Sequence, residues 1–314
     1  MDSSATILSL ETPSWSDYEL LDSGEGAKYE RFGPYNLVRP EVQAMWRRSL
    51  PAAEWQRAHA VFRPSGEESG GHWDLKRQLA PKWEMSYRVD QRAGAETGLR
   101  SGALRFWAMT TPGRHLGVFP EAASHWDFLA KAIIESRRPA RVLNLFGYTG
   151  LASLAAAAAG AEVTHVDASR KSVTWARQNQ ELSGLADRPV RWIVDDALKF
   201  VKREGRRGAR YDGVLIEPPK FGRGPQGEVW EVYKSLPDLL RSCTDLLSPD
   251  PMFAILTVYA VKASSVHLGQ LMAEMMQAFH GRLESGELVT RERSAGRLLS
   301  QAVFARWCST TPTT

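Results

Sequence analysis

RVLNLFGYTG occupies residues 141–150, and the Ala-rich run LASLAAAAAG follows at 151–160. A short apolar run enters a two-glycine loop, then a stretch of good helix formers that Gly160 ends. That is strand, loop, helix, the opening unit of a parallel sheet. The pattern repeats downstream. EVTHVD (162–167) reads as the second strand. SRKSVTWARQNQELSG (169–184) reads as a helix with Ser169 at its N-cap and Gly184 at its end. VRWIVDD (190–196), ALKFVKREG (197–205) and YDGVLIE (211–217) give strand, helix, strand. Residues 228–247 read mainly as helix, with Pro237 as a break or a fresh start. MFAILTVY (252–259) is the fifth strand, and a helix covers about 264–280. GELVTRE (286–292) and QAVFARW (301–307) are two further strands with no helix between them. The expected fold is α/β: a Rossmann-like doubly wound sheet with an antiparallel C-terminal edge.

Upstream the character changes. Residues 15–110 hold Trp15, Trp46, Trp55, Trp73, Trp83 and Trp107, more than half of the 11 tryptophans. AVF (60–62), WDLKRQL (73–79), WEMSYRV (83–89) and LRFWAMT (104–110) read as short strands. GPYNLVRPE, RPSGEESGGHWD and RAGAETG read as turn-punctuated pieces between them. This predicts a small, mostly β N-terminal module. Its tryptophans supply a small core with buried area, with base stacking as the alternative for one or two. The expected division is a disordered tail over 1–14, the module over 15–115, the α/β domain that carries the site over 116–308, and a tail over 309–314.

Composition sets wide bounds. Of 314 residues, 43% are hydrophobic and 24% charged, with a net charge of +4, the profile of a soluble globular chain. The excess positive charge permits a polyanionic partner without requiring one. The two cysteines, Cys243 and Cys308, form no C-x-x-C pair, so no zinc site and no disulfide framework is expected. The N-terminus has neither a basic n-region nor a long apolar run, and no stretch is long enough for a membrane span. The expectation is a cytoplasmic protein with no membrane and no metal partner; oligomeric state stays open.

The chemistry lies at the strand ends, where open α/β sheets bind ligands. The first strand ends in Asn144-Leu145-Phe146-Gly147-Tyr148-Thr149-Gly150, the second in Asp167, the third in Asp195-Asp196, the fourth in Glu217-Pro218-Pro219. The loop lacks the third glycine of a pyrophosphate cradle. A ligand with a carboxylate and no phosphate suits it better, since the following helix N-terminus attracts one negative group. Asp167 is spaced for ribose hydroxyls, and Asp196 for an exocyclic amine such as that of adenine. Adenine, ribose and an amino-acid carboxylate together describe S-adenosyl-L-methionine.

VLNLFGYTG, VTHVDAS, WARQN, WIVDDALKFV and EPPKFGRG resemble the class I S-adenosylmethionine-dependent methyltransferases, in particular the branch containing bacterial 23S rRNA methyltransferases. The resemblance covers roughly residues 112–260, and PGRHLGVFPEAASHW (112–126) is similar to that branch's cofactor-lining segment ahead of the first strand. It implies that Asp167 binds ribose, that Asp196 with Asp195 lies near adenine, and that residues 144–150, with Ser169 alongside, hold the methionine part. Two departures count. The branch motif begins with Asp where this chain has Glu217. Cytosine C5 chemistry needs a cysteine nucleophile after the fifth strand, where this chain has Tyr259. Methylation of a nitrogen is therefore expected. Glu217, Pro218 and Pro219 would hold the acceptor amine, Phe221 would stack on the base, and Lys220 would reach a phosphate or carboxylate. RNA, in particular rRNA, is the expected partner. The alternatives are a methyltransferase of a small molecule or protein side chain, and a cofactor-binding RNA assembly factor without catalysis. The basic runs Arg137-Arg138, Lys202-Arg203 and Arg206-Arg207-Arg210 read as solvated helix ends, with an RNA-phosphate track as the alternative.

Overall fold

The structure is a computed structural model that describes residues 7–65, 70–89, 102–259 and 261–310. The turn expected over RAGAETG lies outside the described residues. In chain order the elements are β1 (Ile7–Glu11), β2 (Tyr18–Gly24), β3 (Ala27–Phe32), β4 (Tyr35–Pro40), α1 (Ala52–Trp55), β5 (Ala60–Pro64), β6 (Gly71–Leu75), β7 (Trp83–Tyr87) and β8 (Leu104–Ala108). A single 3₁₀ turn, Pro120–Ala122, leads into α2 (Ala123–Ser136). Then come β9 (Arg141–Leu145), α3 (Leu151–Ala158), β10 (Glu162–Asp167), α4 (Arg170–Leu182), β11 (Val190–Val194), α5 (Ala197–Arg206) and β12 (Gly213–Ile216). The chain closes with β13 (Phe221–Arg223), β14 (Val229–Glu231), α6 (Val232–Thr244), β15 (Phe253–Val258), α7 (Ser265–Met275), β16 (Gly281–Arg291) and β17 (Leu298–Ser309).

Eight strands form the main sheet, in the order β1-β16-β17-β15-β12-β9-β10-β11. β15, β12, β9, β10 and β11 are mutually parallel, and the order reverses between β9 and β12. That reversal is the topological switch point, with a crevice outside the carboxyl ends of the strands. β17 runs antiparallel between β15 and β16, as the missing helix between the last two strands implies. The fold class is thus the one read from the sequence.

Three details differ from the sequence reading. Residues 7–11, expected to be a frayed tail, form β1 and pair in parallel with β16 at the sheet edge. The run ILSLE is only five residues long and sits in a Ser/Thr-rich stretch, so nothing marks it as a strand before its partner is known. Residues 18–40, of which only 33–41 drew notice, form the meander β2-β3-β4 of a five-stranded sheet. Pro237 sits inside α6 without ending it. As the sixth residue of the helix it lies past the unpartnered N–H groups of the first turn and forgoes the bond to the Tyr233 carbonyl.

The tryptophans pack. Trp15 lies at 4.8–6.1 Å from Tyr87, Tyr18, Phe106 and Trp126, ring centre to ring centre. Of the six in the module, Trp15, Trp55 and Trp83 are buried and the other three half-buried. The indole N–H of Trp15 donates to Ser86, that of Trp46 to Ser23, that of Trp55 to Asp22 and that of Trp73 to Thr111. One core runs without a break from Trp15 and Phe32 through Leu104 and Trp126 to Leu154 and Phe253. Each such large side chain contributes about 1.5–3 kcal/mol through burial. The module is therefore fused to the main sheet through shared apolar surface.

Candidate active site

The loop after β9 is bent to an unusual degree. Phe146 (φ 59°) and Tyr148 (φ 49°) are left-handed although neither is glycine, and Gly150 (φ 84°) is the N-cap of α3. Left-handed non-glycine residues cost about 1–3 kcal/mol each and survive where the surroundings hold them, most often at functional sites. Here the holding groups are visible. Asp167, at the end of β10, accepts the Tyr148 N–H at 2.9 Å and the Ser169 N–H at 2.8 Å, one on each carboxylate oxygen. The Thr149 hydroxyl donates to the Gly117 carbonyl at 2.6 Å, and the Asn179 amide donates to the Thr149 carbonyl at 3.0 Å. A Cβ on Gly147 would lie 2.4 Å from the His165 ring, so only glycine fits there.

The expected site residues divide by what their side chains already do. Asn144 is buried and donates to the Ser153 hydroxyl at 2.9 Å; Ser153 in turn meets His165 at 3.0 Å. Asn144 thus ties the strand end to the helix that follows the loop. Burial pushes His165 down to about 3, so the ring is neutral. Ser169 caps α4 by accepting the Ser172 N–H. Asp195 has both oxygens occupied, one by the Asp196 N–H at 2.9 Å and one by Arg203 at 2.7 Å. Asp196 caps α5 through one oxygen, which accepts the Lys199 N–H at 2.9 Å. Among the described residues its other oxygen has no partner.

The donor set fits the nucleoside inferred from the sequence. A carboxylate offers about four lone pairs, and Asp167 has committed one on each oxygen. One remains on each oxygen for two vicinal hydroxyls. Asp196 keeps one free oxygen for an amine. Burial raises the Asp167 carboxyl above its usual value, and the two backbone N–H bonds oppose that rise.

Beyond β12 the Glu217 N–H donates to Leu145, which fixes the strand end beside the loop. Pro218 is buried and Pro219 exposed. The Pro219 carbonyl accepts the Trp230 indole N–H at 2.8 Å, and the Trp230 ring packs 4.8 Å from Phe146. Trp230 therefore ties the Glu-Pro-Pro turn to the glycine loop. It was missed in the sequence because β13 and β14, the hairpin that returns it, are only three residues each. With Pro219 engaged, Pro218 has the one proline carbonyl of the pair with no partner among the described residues. Phe221 is 53% exposed at the hairpin's start, with the Lys220 ammonium 5.1 Å from its ring centre.

Glu217 is the most perturbed acid here. Burial lifts it to about 8, Glu121 nearby adds to the rise, and the Tyr259 hydroxyl pulls against it. That hydroxyl is buried yet has no well-formed hydrogen bond to any described group. Its ring packs on Phe119 at 5.0 Å. Cys243 is buried in α6, where burial raises its thiol far above the usual range. It is an apolar packing group. A mostly apolar cavity of about 440 Å³ opens between α6 and α7, lined by Leu236, Leu268 and Leu271, and includes none of these acids.

The basic runs are largely neutralised. Arg138 pairs with Asp212 and Asp250, Lys202 with Asp238, and Arg207 with Glu204. Among the described residues no helix is long and apolar enough to cross a membrane, and no cluster of His, Cys, Asp and Glu is arranged to hold a metal.

A doubly wound sheet with acids closing successive strands, a braced glycine loop and an open crevice defines a nucleoside-binding α/β protein. Comparison with known proteins sharpens that class. The family model of the S-adenosylmethionine-dependent methyltransferases matches residues 122–274. The crystal structure of the SAM-dependent methyltransferase from Agrobacterium tumefaciens is 44% identical, covers 98% of this chain and 97% of its own, and superposes with a TM-score of 0.86. The chain belongs to the S-adenosylmethionine-dependent methyltransferases. Among curated proteins, the ribosomal RNA large subunit methyltransferase K/L of Shewanella frigidimarina is 34% identical over 38% of this chain. Its counterpart from Hahella chejuensis is 30% identical over 57%. The chain spans only 17% and 24% of the lengths of those two relatives.

Proposed function

We propose that this chain transfers a methyl group from S-adenosylmethionine to a nitrogen of an RNA base, in rRNA. When bound, the cofactor supplies an electrophilic methyl group on a sulfonium. Asp167 would accept from its ribose hydroxyls, Asp196 from the adenine amine, and the loop 146–150 would take the methionine part. A nitrogen that already carries a lone pair needs placement above all. The carrying observation is the Glu-Pro-Pro turn: Trp230 takes the Pro219 carbonyl and leaves that of Pro218 free for an amine hydrogen. The Glu217 carboxyl stands beside it. Tyr259 in place of a cysteine argues against carbon methylation.

Support for RNA comes from two sides. The curated relatives are named for large-subunit rRNA. Phe221 is an exposed ring beside Lys220 and Arg223, the pairing of aromatic and cation that stacks a base and meets its phosphate. The test is methyl incorporation from labelled S-adenosylmethionine into 23S rRNA, read by nucleoside mass spectrometry. A new N-methyl nucleoside is expected. No incorporation into any RNA, with turnover on metabolites, would overturn it in favour of a small-molecule enzyme.

A further inference from the structure

Three aromatic rings from separate segments meet at the switch point. Tyr148 belongs to the loop after β9, and Tyr259 follows β15. In the sheet those two strands flank β12, the strand that leads into Glu217. Phe119, just ahead of the 3₁₀ turn Pro120–Ala122, joins the two sides. Its ring centre lies 5.9 Å from that of Tyr148 and 5.0 Å from that of Tyr259. The ring planes are tilted by 60° and 43°, so neither neighbour lies flat on Phe119. All three residues are half-buried, so each keeps part of its surface uncovered. The Tyr259 hydroxyl itself is buried.

The rings are held from behind. The Thr149 hydroxyl donates to the Gly117 carbonyl at 2.6 Å, which ties the segment of Phe119 to the loop of Tyr148. The Tyr148 ring rests 6.1 Å from that of Trp175, whose indole N–H donates to the Trp107 carbonyl at 3.0 Å. His115 lies 4.9 Å from Phe119, and burial pushes it down to about 3, so this neighbour is neutral. Elsewhere in the chain, cations sit on ring faces, as Arg48 does over Trp55 at 4.0 Å and Arg306 over Phe128 at 4.4 Å. Among the described residues no lysine or arginine sits over Phe119, Tyr148 or Tyr259. A ring face is partly negative and attracts a cation within about 6 Å of its centre. Rings that take no cation from their own chain suit one carried by a ligand. A sulfonium has no N–H to donate, so ring faces suit it better than hydrogen-bond acceptors do.

We propose that Phe119, Tyr148 and Tyr259 form an aromatic seat for the sulfonium charge, and that this seat makes the site prefer the charged methyl donor to its neutral product. Methyl transfer breaks the S–C bond, leaves its electron pair on sulfur and joins the carbon to the lone pair of the acceptor. The positive charge passes to the acceptor, which gives up its N–H proton to solvent. The rings then face a neutral thioether and hold it more weakly, which favours its release. The inference rests on the loop 146–150 taking the methionine part, as proposed above, and is independent of the acceptor being RNA.

The test is calorimetry on the full chain with three ligands: S-adenosylmethionine, neutral S-adenosylhomocysteine, and sinefungin, whose amine carries a positive charge near the place of the sulfonium. In Phe119→Leu, affinity for the two charged ligands should fall about 5- to 10-fold, and that for S-adenosylhomocysteine by less than about 2-fold. Tyr259→Leu should act in the same direction, whereas Tyr259→Phe, which keeps the ring, should preserve the preference. Mono-, di- and trifluorophenylalanine in place of Phe119 keep the shape and drain the ring face of charge, which covers a poorly folding leucine variant. Affinity for S-adenosylmethionine should fall stepwise with each fluorine while that for S-adenosylhomocysteine stays level. Equal losses for all three ligands in the leucine variants, with no response to fluorine, would overturn the charge seat and leave the methionine placement standing. Unchanged affinity for every ligand in Phe119→Leu, Tyr259→Leu and Tyr148→Leu would overturn the methionine placement as well.

Discussion

Asp167→Asn separates two roles that one carboxylate performs. In the folded chain each oxygen accepts a backbone N–H, from Tyr148 at 2.9 Å and Ser169 at 2.8 Å. The first bond holds Tyr148 at a φ of 49°, which costs about 1–3 kcal/mol unsupported. An asparagine keeps one acceptor and turns an NH₂ toward the other N–H. One charge-assisted bond, worth about 1.5–3 kcal/mol, is lost, and a partly buried donor is left facing another donor. Relaxation of the loop recovers part of this. The cofactor-free variant should therefore be less stable by about 2 kcal/mol, seen as a lower urea midpoint at an unchanged m-value. The same substitution removes an acceptor for a ribose hydroxyl. S-adenosylhomocysteine affinity, measured by calorimetry, should fall by about 10-fold or more, since about 1.4 kcal/mol is tenfold. An unchanged midpoint would refute the bracing role. A lower midpoint with unchanged affinity would refute the ribose role and leave the bracing intact.

Three further outcomes follow from the same geometry. Gly147→Ala drives a Cβ to 2.4 Å from the His165 ring, a buried ring that cannot swing away, so a loss of about 3 kcal/mol or more is expected in thermal unfolding. Arg39→Met strands Glu30, buried to 0% exposure, and should cost about 3–5 kcal/mol, whereas Arg39→Met with Glu30→Gln should recover much of it. Glu217→Gln tests the pH dependence: because the folded carboxyl titrates near 8 and an unfolded one near 4.5, the folded state holds the extra proton between them. The wild type's stability from this group is full below 4.5 and is lost as pH rises to about 8. The variant's stability relative to wild type should therefore grow across that window, by at most about 1.4 kcal/mol per pH unit. A difference that is flat with pH, in melts taken at pH 5 and pH 8, would contradict the raised value.

How much of the site was legible depends on how local each residue's task is. Asp167 could be placed from its position after Val166, because a strand that ends beside a glycine loop puts its last side chain over that loop. The loop's unusual backbone could not, since Phe146 and Tyr148 carry no glycine signature; they are left-handed because Asp167, Thr149 and Asn179 hold them so. Asn144 and Asp195 looked equally eligible for a ligand. Their partners, Ser153 and Arg203, are 8 or 9 residues away along the chain and lie on the following helix, which turns both side chains to bracing.

The order of strands and helices, the switch point and the acidic strand ends came from the sequence, because periodicity and strand–helix alternation are local and crossover handedness leaves few topologies. Only the tertiary structure decided the rest. It seated residues 7–11 in the main sheet and fused the tryptophan-rich module to the methyltransferase core. It turned Trp230 back onto the Pro219 carbonyl. It also packed Phe119 onto Tyr259, 140 residues further along the chain. Such meetings depend on which distant apolar faces bury each other, and no short window of sequence carries that information.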